Sequence, residues 1–143
     1  MTAMPDPGPY GNFNFLVEID GVTIAGFAEC SGLSSTLDVI EYREGGDLRV
    51  RKLPGLHKVG DITLRRGVTQ SRELQDWHDN VVNGKPDRRN GSIVLLDAAK
   101  IPVVRWNFSA AFPRKWEGPT LNAQGDDVAI ETLTLACEGI ERA

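Results

Sequence analysis

The sequence predicts a mostly-β protein: two packed antiparallel sheets forming a β-barrel-like sandwich with one flanking α-helix. Three observations carry that prediction. Apolar and polar residues alternate with period two in several segments, as at Phe13–Asp20 and Val104–Phe112. Gly, Pro, Asn and Asp break those segments at short intervals. One stretch only, near Ser71–Val82, spaces its apolar residues for a helix.

The first ten residues hold Pro5, Pro7, Gly8 and Pro9 and are expected to form an extended arm. Phe13, Phe15, Val17 and Ile19 then alternate with Asn14, Leu16, Glu18 and Asp20, a strand with one buried face. Asp20-Gly21 suits a type I′ turn, because both residues tolerate positive φ. Val22–Ala28 returns as the partner strand. Leu37–Arg43 is a further strand, interrupted by Gly45-Gly46, and Asp47–Arg51 alternates again until Pro54-Gly55. The whole segment Arg43–Lys58, rich in Gly and Arg, is expected to be a long hairpin or excursion with little core of its own. Asp61–Arg66 resumes the strand pattern before Gly67.

In the helix, Thr69 or Ser71 is placed to cap the start, and Leu74, Trp77 and Val81 form one apolar stripe. Asn83-Gly84 fits the C-terminal left-handed position, and Pro86 blocks continuation. Ser92–Leu96 is a short apolar strand, and Val104–Phe112 a long one ending at Pro113. Val128 and Ile130 share one parity while Leu133, Leu135 and Cys137 share the other; a β-bulge near Glu131-Thr132 is expected to absorb the slip.

The chain has 143 residues, a length that fits one domain, 1–143, with the arm at 1–10. Its charge balance of 16 − 20 = −4 gives no support to nucleic-acid binding. No stretch approaches the roughly 18 consecutive apolar residues of a membrane span. Met1–Tyr10 has neither Lys nor Arg and no apolar core, so it does not read as a secretory signal. Cys30 and Cys137 are read as reduced, partly buried thiols; a disulfide between them needs a Cα separation that sequence does not supply.

The search for chemistry yields no catalytic, metal or cofactor set. His57 and His78 lack any HxH or HExxH context, and His78 is read as a solvated surface residue. There is no GxSxG elbow, P-loop or GxGxxG. Arg49, Arg51, Lys52, Lys58, Arg65 and Arg66 form a basic cluster opposed only by Asp61; it reads equally as a solvated strand face or as contact with an acidic partner. No aromatic residue lies between Tyr42 and Trp77 to stack nucleic-acid bases.

A succession of short motifs is similar to one family. Phe15-Leu-Val-Glu-Ile-Asp-Gly21, Ser31-Gly-Leu33, Val39-Ile-Glu-Tyr-Arg-Glu-Gly-Gly46, Lys52-Leu-Pro-Gly55, Ile62-Thr-Leu-Arg-Arg-Gly67, Trp106-Asn-Phe108 and Pro113-Arg-Lys-Trp-Glu-Gly-Pro119 occur in this order. The chain resembles the inner tube proteins of contractile tails, those of phages and of extracellular contractile injection systems, over about Tyr10 to Gly139. The resemblance implies a structural protein and no enzyme. Six copies would join their sheets into a ring around a lumen, and rings would stack into a tube that delivers cargo. It implies sheath, baseplate and tube-terminator proteins as partners, cargo in the lumen, no sequence-specific nucleic-acid binding and no cofactor. It further implies assembly in the bacterial cytoplasm as part of a virion tail or injection particle.

By the same resemblance, the hairpin to the neighbouring ring comprises Arg43, Glu44, Gly45, Gly46, Asp47, Arg49, Arg51, Lys52, Pro54, Gly55, His57 and Lys58. The helix would present Arg72, Glu73, Gln75, Asp76 and Asp79 on the outer wall. The alternative reading is a monomeric small β-barrel that binds a ligand or cargo, with Phe13, Trp106 and Phe108 lining its pocket.

Overall fold

The computed structural model describes residues 9–24 and 26–143. Most of the expected arm, Met1–Gly8, lies outside the described residues. Ten strands and one helix follow in the order β1 (Phe15–Ile19), β2 (Val22–Ile24), β3 (Phe27–Ser31), β4 (Ser35–Tyr42), β5 (Arg51–Val59), β6 (Ile62–Gly67), α1 (Glu73–Val82), β7 (Arg89–Leu96), β8 (Pro102–Glu117), β9 (Ile130–Ala136) and β10 (Gly139–Arg142). All pairings are antiparallel, along the path β2-β1-β7-β8-β9-β6-β3, with β10 on β8; β4 and β5 form a separate pair. The result is the expected mostly-β, sandwich-like arrangement with one helix, without a closed barrel.

Strand β8 makes the sandwich. Its register against β7 slips between Arg89/Gly91, where three residues of β8 span two of β7, and Ala110 takes φ 51°. The Asn90 carboxamide oxygen accepts the Ala110 N–H at 2.9 Å. A bulge of this kind bends a strand, so β8 pairs with β7 and β10 before the bend and with β9 after it. The sequence ends this strand at Pro113. Instead it runs on to Glu117, with Pro113 buried and the chain shifting register once more before Lys115.

Between the layers pack Val17, Ile19, Ile93 and Phe108 from one side and Ile62, Leu64, Leu133 and Leu135 from the other, with Leu74 and Trp77 of α1. The helix is held at three further points. Trp77 Nε1 donates to the Asp87 carbonyl at 2.7 Å, and His78 Nδ1 to the Pro113 carbonyl at 2.9 Å. His78 is therefore half-buried and tethered, not the solvated residue expected. Third, the chain leaves α1 through a Schellman ending: Gly84 N–H bonds Val81 O, Lys85 N–H bonds Asn80 O, and Gly84 has φ 83°. The helix starts at Glu73 with no side-chain cap; the Thr69 hydroxyl accepts the Ser71 N–H instead.

Three other expectations change. The Asp20-Gly21 turn has φ 52° and 77°, the type I′ pair, but its return strand stops at Ile24. Gly26, at φ 89°, turns the chain out of this layer, and β3 pairs with β6 in the other. Phe13 precedes β1 and is exposed. No bulge occurs at Glu131-Thr132: β9 pairs with β6 in unbroken register from Leu135 to Ile130. Val128 stays outside the strand, exposed, and the inward parity of Leu133 and Leu135 extends to Glu131, a buried carboxylate. Apolar alternation along one strand carries no sign of a buried charge, whose partner lies on another strand.

Candidate assembly surfaces

Arg66 explains that charge. It lies opposite Glu131 on β6 and points inward, 4% exposed. Arg66 Nε donates to Glu131 Oε1 at 2.7 Å and Nη1 to Glu73 Oε1 at 2.9 Å, while Trp116 Nε1 donates to Glu131 Oε2 at 3.2 Å. The guanidinium also stacks 5.7 Å from the Phe27 ring centroid. Burial by itself would weaken its hold on the proton, but the bonds to Glu131 and Glu73 outweigh that and raise its pKa. The network pins the first turn of α1 to the sheet. Thus Arg66 leaves the basic cluster read from the sequence, and Arg65 next to it pairs with Glu29 at 3.6 Å.

The other basic residues lie on the protruding hairpin β4–β5. Its strands are Ser35–Tyr42 and Arg51–Val59, longer on both sides than the expected Arg43–Lys58. The β5 strand runs through Pro54-Gly55, where the chain was expected to break. The register slips by one residue between Leu37/Val39, so Gly55 falls against Asp38. The tip, 43–50, is a turn and not a strand: Asp47 N–H bonds Glu44 O, Gly46 has φ 84°, and Asp47 Oδ1 accepts the Arg49 N–H at 2.9 Å. The Arg43 guanidinium donates to the Asp47 carbonyl at 3.2 Å. Lys58 pairs with Asp38 at 3.4 Å.

At its base the hairpin continues β3 and β6 with only short joints. Gly32, at φ 93°, makes the crossing; a Cβ there would collide with the Asp61 carbonyl. The Gly60 N–H bonds Ser34 O at 3.0 Å and closes the neck.

Both hairpin faces are open. From the register, Leu37, Val39 and Pro54 share one face, and Ile40, Tyr42, Leu53 and Leu56 the other. All of the apolar side chains among them are exposed, as is Leu48 at the tip, 91% accessible. His57 Nε2 lies 2.7 Å from Ser35 Oγ on the first face. That pair stands on an exposed ladder.

Arg72, just before α1, and Asp76 on it are exposed and pair at 3.5 Å. Gln75 and Asp79 are half-buried, and the Glu73 carboxylate turns in to Arg66. The structure thus groups Arg43–Lys58 on one projection and the helix residues on one element, and leaves the two regions separate.

The three residues expected to line a ligand pocket do not come together around one. Phe108 is core, Phe13 is exposed, and Trp106 borders an open groove of about 470 Å³ with Tyr10, Phe15 and Leu33. Among the described residues no group of three or more His, Cys, Asp and Glu gathers as metal ligands. Cys30 and Cys137 are free, half-buried thiols. Burial, and the Glu29 carboxylate beside it, push the Cys30 thiol up to about 11. Among the described residues no helix is long and apolar enough to cross a membrane.

The chain matches the family model of the T4-like virus tail tube protein gp19 over residues 11–141. A comparison with curated protein sequences found no match. Among solved structures, it is similar to a chain of the sheath–tube complex of an extracellular contractile injection system, PVC, in the extended state. That likeness has 30% identity, 96% of this chain and 93% of the other, and a TM-score of 0.88. A chain of the anti-feeding prophage baseplate is 32% identical, over 96% of this chain and 97% of the other, at TM-score 0.86. A chain of the anti-feeding prophage tube-terminating cap is 26% identical, over 99% and 95%, at TM-score 0.88. Fold and length agree throughout, and the chain belongs to the T4-like tail tube protein family, the structural proteins of contractile-tail tubes.

Proposed function

We propose that this protein is the inner-tube subunit of a contractile tail or injection particle. Six copies close into a ring, rings stack through the β4–β5 hairpin, and α1 faces outward toward a sheath. Baseplate and terminator proteins cap the ends, and cargo passes through the lumen. The chain acts as one structural domain, without catalysis or cofactor, and assembles in the bacterial cytoplasm.

The observation that carries the reading is the hairpin. A two-stranded sheet alone is marginal in water, yet this one extends from the body with apolar residues on both faces and none buried. Such a segment is suited to be covered by another subunit. Axial stacking is a heterologous contact that repeats without closing, the geometry of a filament.

The test is excision. Because Ser34 and Gly60 already touch, a short Gly/Ser turn can join them in place of Ser35–Val59. Loop-length changes of this kind cost little, about 0.6 kcal/mol per doubling. The shortened protein should fold by circular dichroism and give rings or monomers by electron microscopy where the parent gives tubes. Tubes of parental length from the folded variant would refute the hairpin's role.

A further inference from the structure

Asn-Gly occurs twice in the chain, at Asn83-Gly84 and at Asn90-Gly91. This dipeptide is prone to lose its side-chain amide without an enzyme, because glycine leaves the following backbone nitrogen unshielded. That nitrogen attacks the asparagine Cγ. A new N–Cγ bond forms, the bond from Cγ to the side-chain nitrogen breaks, and ammonia departs with the proton of the attacking amide. Water then opens the resulting five-membered imide at either of its carbonyls. One opening leaves aspartate. The other leaves isoaspartate, whose main chain runs through the former side chain and is one carbon longer.

The fold requires the glycine at both places. Gly84 ends α1 at φ 83°, the left-handed region that an L side chain resists. At Gly91 a Cβ would collide with the Glu18 carbonyl and the Phe108 ring. Changing the second residue therefore cannot remove the lability, and the two sites differ in what restrains the first.

Asn90 is locked. Its carboxamide oxygen accepts the Ala110 N–H at 2.9 Å and its carbonyl accepts the Asp20 N–H at 2.8 Å. Gly91 is paired with Ile19 on one side and with Phe108 on the other, inside the sheet. Bringing the Gly91 nitrogen to the Asn90 Cγ means opening these contacts together, and opening an inner strand costs nearly as much as unfolding. Asn83 lies just past α1 and is exposed. Among the described residues no hydrogen bond holds its carboxamide. The Gly84 nitrogen is tied to Val81 O at 3.1 Å. Helix ends fray, and loss of that bond frees the attacking nitrogen while the sheet stays intact.

We propose that Asn83 is a site of self-modification, converting to aspartate and isoaspartate in the folded protein, and that Asn90 is preserved by the bulge its own carboxamide holds. The product suits the helix badly. A carboxylate at this end opposes the helix dipole, and the last turn has no basic residue to offset it. The longer isoaspartate chain breaks the spacing on which the Gly84–Val81 and Lys85–Asn80 bonds depend. Shortly beyond, the Asp87 carbonyl anchors Trp77 Nε1 at 2.7 Å, so the slack reaches the strap that holds α1 on the body.

The test compares folded protein with guanidinium-unfolded protein, both held at mildly alkaline pH and sampled over weeks by peptide mass spectrometry. Trypsin places the sites in separate peptides, Glu73–Arg88 and Asn90–Lys100, and a zero-time sample subtracts conversion during digestion. The two sites should convert at similar rates in the unfolded chain. On folding, Asn83 should keep much of its rate and Asn90 should lose nearly all of its own. Asn83→Gln should abolish the change in the first peptide, which also excludes Asn80 as its source. The melting temperature of the aged parent should fall as isoaspartate accumulates, and that of aged Asn83→Gln should hold. Folded protein that converts Asn90 as fast as Asn83, or that converts neither while the unfolded chain converts both, overturns the proposal. A melting temperature that falls equally in parent and Asn83→Gln overturns the link from Asn83 to the helix strap. None of these readouts depends on assembly, so the tube reading is tested separately.

Discussion

The β4–β5 hairpin and the β6–β9 pair are both regular antiparallel ladders, and their apolar residues meet opposite fates. Ile62, Leu64, Leu133 and Leu135 are at most 1% exposed, whereas Leu37, Ile40 and Leu56 are 54%, 52% and 65% exposed. Backbone pairing is similar in the two, so the ladder is not what separates them. The body pair is covered by a facing layer and a helix; the hairpin is covered by nothing among the described residues. Apolar alternation thus states that a face is to be buried, not by whom.

Substitutions should separate the two regions by the size of their effect on the isolated subunit. The largest loss is expected at Trp77→Ala, which empties a fully buried site and abandons the bond to Asp87, costing about 3–5 kcal/mol. A melting temperature unchanged from the parent would mean that α1 does not pack as described. Glu131→Ala should cost a similar or smaller amount, up to about 3–5 kcal/mol, because Arg66 is left buried without its main partner. Replacing both at once, Glu131→Leu with Arg66→Met, should recover much of the loss in chemical denaturation. If the double variant is no better than Glu131→Ala, the network contributes more than the pairing of two charges.

Third comes an alkaline effect. The folded state holds the Cys30 thiol near 11, above its ordinary 9.0, so the unfolded chain ionises first. The stability this group contributes is complete below about 9 and declines as pH rises toward about 11. Cys30→Ala should flatten that part of the pH profile, and an unchanged slope would show that other groups set it.

Smallest should be Leu56→Ser and Leu48→Ser on the hairpin, within about 0.5 kcal/mol in the subunit. Their effect belongs to assembly, read as shorter tubes. A large drop in subunit stability from either would erase the contrast between the two regions.

Local chemistry accounts for what was legible beforehand. The type I′ turn at Asp20-Gly21, the stripe Leu74–Trp77–Val81 and the Gly84 ending each rest on adjacent residues and emerged as expected. The misreadings required long-range knowledge. Pro54 in β5 looked like a breaker because the bulge that accommodates it depends on Asp38 across the ladder. A bulge was expected at Glu131-Thr132 because only Arg66, distant in sequence, supplies the counter-charge that lets Glu131 point inward. The split of Val22–Ala28 into two layers turns on Gly26 and on β6, which follows much later. For the assembly surfaces, residues 43–58 fall on one projection, but its first strand, β4, lies outside the expected bounds because its alternation resembles that of any body strand.

The neck of the hairpin has a mechanical consequence. Since β4 and β5 extend β3 and β6, force applied at the tip along the strands would pull β3 and β6 lengthwise against β9. Their hydrogen bonds would be strained in shear, many together, and not opened one after another like a zipper. A subunit built this way is stiffest along the direction in which its projection points, and compliant only to sideways bending at Gly32 and Gly60.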